Sequence, residues 1–179
     1  MDRTAKTIGW IVAVHLLGLL ALSACRLVLL FGNMPAEGID WSLAGRAILI
    51  GVKFDNLIAS YIVALPAVVL PVLSLSMEHS DSYTRVMRMA TRVATWYFGI
   101  LYAVAIFVGV ANARYFHFFE NHLNISVTEW FEFVGDTAGL IFGDAMNLVY
   151  LGIAIVLIVL YEIALKGIRL KIEDLNYTL

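Results

Sequence analysis

With 179 residues, 61% of them hydrophobic and 15% charged, and a mean hydropathy of +0.87, this chain is too apolar for a small soluble domain, which runs at roughly 45–50% apolar and 25% charged. A bilayer accepts apolar side chains on the outside and requires only that backbone polar groups be satisfied internally; long unbroken apolar runs, in place of alternating stretches of about ten residues, leave helices rather than a barrel. The formal net charge of -2 offers no basic surface to nucleic acid, and the single Cys25 excludes an internal disulfide and any multi-cysteine zinc or iron-sulfur site.

The first apolar segment, Ile8 to Phe31, follows Arg3 and Lys6 and is long enough to cross a hydrocarbon core of about 30 Å. It predicts an uncleaved signal anchor. Leu22-Ser23-Ala24-Cys25 matches a bacterial lipobox, but the apolar run continues from Leu27 to Phe31, where a mature lipoprotein turns polar. Cys25 therefore reads as a small apolar residue within a helix.

A turn at Gly32-Asn33-Met34-Pro35 leads to a second apolar stretch from Leu43 to Leu75. As a straight helix it would measure roughly 50 Å, too much for one crossing. Arg46, Lys53 and Asp55 lie in its first third, so Leu43 to Val52 reads as interfacial or as an extension into water and residues 56–75 as the crossing. Pro66 and Pro71 each remove a backbone donor and are expected to kink it. Ser76 to Arg92 reads as a polar connection with Arg85, Arg88 and Arg92. The third crossing is expected over 93–110, opening at the interfacial Trp96 and Tyr97, and the fourth over 148–165, ending at Lys166, Arg169 and Lys171.

Between them lies the long segment 111–147, with Glu120, Glu129, Glu132, Asp136 and Asp144 against Arg114. Ser126 and Glu129 have capping-box spacing and predict an amphipathic helix carrying Trp130, Phe131, Phe133 and Val134 along the outer surface. Tyr115, Phe116, Phe118 and Phe119 form a second aromatic cluster. The positive-inside rule places both ends in the cytoplasm and segment 111–147 outside. The expected fold is all-α: a single membrane domain of about four crossings with outer interfacial helices.

Ionisable residues close to a membrane core are costly and mark a site or a paired structural element. Lys53 and Asp55 are two apart and point in different directions on a helix, whereas Arg26, near the outer end of the first crossing, is within reach of Asp55 as a structural ion pair. This cluster is also a candidate holder of a lipid headgroup. His15 reads as a packed polar residue of the first crossing. His117, Glu120 and His122 match no metal-ligand motif, so no metal is assigned, and Asn124-Ile125-Ser126 and Asn176-Tyr177-Thr178 match only the glycosylation sequon. No phosphate-binding loop, dinucleotide fingerprint, nucleophile elbow or zincin motif is present, so no catalytic residue or cofactor is assigned within this chain.

Two stretches resemble a known family. Gly51-Val52-Lys53-Phe54-Asp55 looks like the glycine, basic residue, Phe-Asp sequence at the outer start of the second helix in the amino-terminal membrane domain of lipoteichoic acid synthase-like proteins. Residues Asn112 to Val127, with Arg114-Tyr115-Phe116-His117-Phe118-Phe119-Glu120 at their centre, are similar to the segment after that family's third helix. The family includes phosphoglycerol and phosphoethanolamine transferases and sulfatase-like proteins, many from Bacteroidetes. Its members often have an acid near the position of Ala113 and a base near that of His122, which this chain lacks.

The resemblance implies a domain of the bacterial inner membrane that anchors the enzyme and presents a lipid-linked substrate. Catalysis would fall to an extracytoplasmic domain of the alkaline phosphatase superfamily, which carries the nucleophile and a divalent metal. That domain and a fifth helix would follow Leu179. Membrane lipids and that domain are the expected partners, and Lys53, Asp55, Arg114, Tyr115 and Phe116 are the expected headgroup residues. Two other readings stay open: a small transporter or channel subunit lined by Lys53, Asp55 and His15, and a non-catalytic membrane scaffold.

Overall fold

The computed structural model describes residues 3–34, 38–124, 139 and 142–177, with side chains described as far as Lys171. Four helices account for nearly all of them: α1 (Arg3–Gly32), α2 (Trp41–Ser76), α3 (Tyr83–Phe119) and α4 (Ala145–Tyr177). There is no strand among the described residues. Each helix is long and apolar enough to cross a membrane. Only 22% to 39% of the residues in their apolar windows are buried inside the protein, so most of the apolar surface faces outward, the arrangement a lipid solvent favours.

The helix ends have local causes. Asp40 opens α2 by accepting at Oδ1 from the Ser42 and Leu43 amides, at 2.9 and 3.2 Å, which satisfies two donors that a helix start otherwise leaves free. Asp144 does the same for α4, accepting from the Met146 amide at 2.8 Å. α3 closes at Glu120, whose left-handed backbone (φ 51°) lets its amide donate to the Phe116 carbonyl at 2.9 Å. Thr7, Thr91 and Thr95 turn their hydroxyls back on the Arg3, Met87 and Thr91 carbonyls, which removes a donor from the apolar surroundings.

The stretch 43–52, read as interfacial or as an extension into water, continues the crossing 56–75 as one 36-residue helix through Pro66 and Pro71. Two expectations about extent change. The polar connection shrinks to residues 77–82, because α3 begins at Tyr83 and takes Arg85, Arg88 and Arg92 into its first turns. At its other end α3 runs on through the aromatic cluster of Tyr115, Phe116 and Phe118 to Phe119. Hydropathy marks where a helix meets lipid, whereas backbone hydrogen bonding carries the helix into water on either side. The helix expected from Ser126 and Glu129, with Trp130 to Val134, and the acids Glu132 and Asp136 lie outside the described residues.

Contacts between helices set their directions. Thr4 meets Ser74 while Arg26 meets Gly51, so α1 and α2 are antiparallel. Trp10 packs on Phe98, Gly18 on Tyr102 and Cys25 on Gly109, so α1 and α3 run the same way. Tyr102 packs on Tyr161 and Arg114 on Tyr150, so α3 and α4 are antiparallel. The bundle alternates up and down. The start of α1, the α2–α3 turn and the last turns of α4 share one end, here the termini end; the other is the far end.

The α1–α3 pair is the centre. α2 and α4 each pack against both of its members and make no contact with each other among the described residues. The core seam accordingly comes mostly from α1 and α3: Trp10, Val14, Leu22, Phe98, Tyr102, Ile106 and Val110, joined by Ala59, Ala154, Tyr161 and Leu165. Gly18 is a close approach within this seam, since a Cβ there would collide with the Tyr102 phenol. Without a hydrophobic driving force between helices in lipid, such small-residue contacts let backbones approach and gain dispersion energy.

Candidate functional site

At the far end, ion pairs tie neighbouring helices together. On α1, Arg26 reaches across to α2, where it donates from Nη2 to Asp55 Oδ1 at 2.7 Å, from Nε to Asp55 Oδ2 at 3.1 Å and from Nη2 to the Gly51 carbonyl at 3.0 Å. Asp55 is buried and the Arg26 side chain is 28% exposed. Gly51 is required for this fit, because a Cβ there would occupy the space of the guanidinium. The arrangement is a bidentate charge-assisted pair, with one further carbonyl taken up by the same cation.

Arg114 forms a second clamp, between α3 and α4. Its Nη2 donates to Asp144 Oδ2 and its Nε to Asn147 Oδ1 at 2.6 Å. The guanidinium also lies 4.2 Å from the centre of the Phe118 ring and 5.9 Å from that of Tyr150. The Arg114 side chain is 14% exposed. Asp144 thus caps α4 and ties its start to α3.

Between the clamps, Asn33 at the end of α1 donates to the Leu29 and Ala113 carbonyls, both at 3.0 Å. Asn112 holds the chain leaving α3: its side-chain amide donates to His122 Nδ1 at 3.2 Å, and its Oδ1 accepts from the Leu123 amide at 2.8 Å. Tyr115 stacks on Phe119 at 4.5 Å and Phe116 tilts against His122 at 5.1 Å. His117 instead packs edge-on against Phe118, so the two histidines are engaged with different aromatic rings. Among the described residues no three His, Cys, Asp or Glu side chains converge as metal ligands do.

The residues expected to hold a headgroup therefore separate into groups. Asp55 belongs to the α1–α2 clamp and Arg114 to the α3–α4 clamp. Tyr115 and Phe116 are half-buried on the last turns of α3, while Lys53 is exposed on α2 with no hydrogen-bond or ion-pair partner among the described residues. Lys53 and Asp55 do not pair. His15 faces Asn56 of α2, with Nε2 3.0 Å from the accepting Oδ1.

One residue escaped the sequence reading. Glu162 lies within the fourth apolar run, half-buried, with its carboxylate against Gly99 of α3; a Cβ on Gly99 would stand 2.6 Å from Oε1. A lone acid inside an otherwise apolar run was the available signal. Comparison of the chain with protein-family models, with curated proteins and with solved structures finds no match.

Proposed function

We propose that this chain is the membrane domain of a lipid-processing enzyme similar to lipoteichoic acid synthase-like phosphoglycerol and phosphoethanolamine transferases, with its far end toward the outer leaflet of a bacterial inner membrane. Its role is to anchor the enzyme and to present a lipid-linked substrate to an extracytoplasmic catalytic domain encoded beyond Leu179. The single observation that carries this reading is the far-end arrangement: two clamps fix four helices, and Lys53 stands exposed on α2 at the level of the Arg26–Asp55 clamp, on a different face of the helix from Asp55. With Arg26 neutralised by Asp55 and Arg114 by Asp144, Lys53 and Arg46 are the exposed far-end cations without an ion-pair partner among the described residues, and Lys53 is the one within a turn of the Arg26–Asp55 clamp. A compact, flexible ammonium suits a point contact with phosphate at the interface. Tyr115 and Phe116 supply amphipathic surface at headgroup level.

The test is turnover of phosphoglycerol or phosphoethanolamine lipid in cells whose full-length product carries Lys53→Gln. Turnover should fall several-fold with unchanged amounts of folded protein in the membrane. Unchanged turnover overturns the reading, as does a coding frame without a phosphatase-type domain after Leu179.

A further inference from the structure

The termini end holds an open groove of about 690 Å³ at the start of α3, lined by Arg85, Arg88, Met89, Arg92 and Val93 together with Asp81, Ser82 and Thr84. Arg85 and Arg92 are exposed and have no hydrogen-bond or ion-pair partner among the described residues. At about 100° of rotation per residue, the three arginines fall within roughly 60° of the helix surface. The adjoining arc of similar width carries Met89, Val93, Trp96 and Ile100, between 59% and 69% exposed. The helix thus sets an apolar stripe beside a cationic patch and carries the stripe on past it toward the middle of the bundle.

The dimensions are those of one lipid leaflet. From Met89 to Ile100 the stripe extends about 16 Å at 1.5 Å per residue, against about 15 Å for half a hydrocarbon core. The lining carries three arginines against the single Asp81, and guanidinium groups match phosphate oxygens in geometry as well as in charge. A soluble anion would use the patch and leave the stripe idle; a neutral lipid would use the stripe and leave Arg85 and Arg92 unmatched.

We propose that this groove is a binding site for an anionic glycerophospholipid of the leaflet at the termini end, its phosphate held by Arg85, Arg88 and Arg92 and its acyl chain laid along Met89, Val93, Trp96 and Ile100. The site is separate from the far-end cluster and does not depend on the function proposed for it.

The experiment is native mass spectrometry of the full chain, purified in a neutral detergent and titrated with phosphatidylglycerol, phosphatidylethanolamine or phosphatidylcholine. Phosphatidylglycerol should be retained preferentially. With about 1 kcal/mol for each cation near a lipid surface, Arg85→Gln and Arg92→Gln should each weaken its binding about fivefold, and the pair about 25-fold. The variant Lys166→Gln with Lys171→Gln, which removes equal charge from the same end, should leave binding within twofold. Equal losses in the two double variants would make the effect one of general charge and overturn the site. Equal retention of the three lipids, preference for phosphatidylethanolamine, or displacement of bound phosphatidylglycerol by millimolar glycerol phosphate would overturn it as well. The exposed arginine substitutions are checked by circular dichroism, and Trp96→Ala, which leaves the charge intact, should weaken binding by shortening the stripe.

Discussion

Arg26 and Asp55, 29 positions apart in sequence, form a two-point ion pair that closes over the Gly51 backbone, with contacts of 2.7 and 3.1 Å to the carboxylate and 3.0 Å to the carbonyl. Removing one partner strands a charge at membrane depth. For a fully buried pair that costs about 3–5 kcal/mol; with Arg26 partly exposed, Asp55→Ala should cost about 2–3 kcal/mol. Gly51→Ala should cost a similar amount by displacing the guanidinium. Because the two substitutions break one clamp, the second should add little to the first. Midpoints of detergent-induced unfolding for the two single variants and the double variant check this; additive losses would show the clamp to be two independent contacts.

Gly18 and Gly99 both sit under side chains from a neighbouring helix, yet substitution should separate them. The ring against Gly18 is Tyr102, fully buried in the core, and it has nowhere to move. Gly18→Ala should cost about 1–3 kcal/mol, the usual toll of overpacking. The atoms against Gly99 are the terminal oxygens of the half-buried Glu162, which can swing aside, so Gly99→Ala should cost less than about 1 kcal/mol. The same unfolding assay distinguishes the two.

The Tyr102 hydroxyl is buried without a hydrogen-bond partner among the described residues. A buried unsatisfied hydroxyl loses its hydration for no return, so Tyr102→Phe should leave the protein as stable or raise its stability by about 1 kcal/mol. A drop in the unfolding midpoint would reveal a partner for that oxygen.

Arg114→Lys keeps the charge but cannot reproduce two directional contacts to Asp144 and Asn147 or the packing over Phe118. A loss of about 1–2 kcal/mol is expected, read as faster hydrogen exchange in the last turns of α3 and the first of α4. Uniform acceleration across all four helices would contradict a clamp local to the far end.

Exposed Ser80 in the α2–α3 turn and exposed Asn121 just past α3 stand at opposite ends of the bundle. In vesicles of one orientation, a membrane-impermeant maleimide should label Ser80→Cys or Asn121→Cys from the outside, never both. Cys25 is 4% exposed and should stay silent. Labelling of both sites would remove α3 from the membrane.

The sequence by itself determined the class and the number of crossings, because a hydrocarbon core of about 30 Å demands apolar runs of fixed minimum length. It also marked Arg26 and Asp55 as charges within reach of one another near the membrane core, where an unpaired charge is costly. Helix extent was less legible: Arg85 to Arg92 looked like a loop although they continue α3, for hydropathy follows the surrounding solvent and not the hydrogen-bonded backbone. Glu162 was overlooked amid apolar neighbours, and its niche depends on a glycine in another helix. Only the tertiary structure decided that α1 and α3 form the centre, that Arg114 pairs with Asp144 and that Lys53 stays exposed. Those outcomes depend on the rotation of each helix about its axis and on which helices adjoin, and the free energy of inserting a segment into lipid is nearly blind to both.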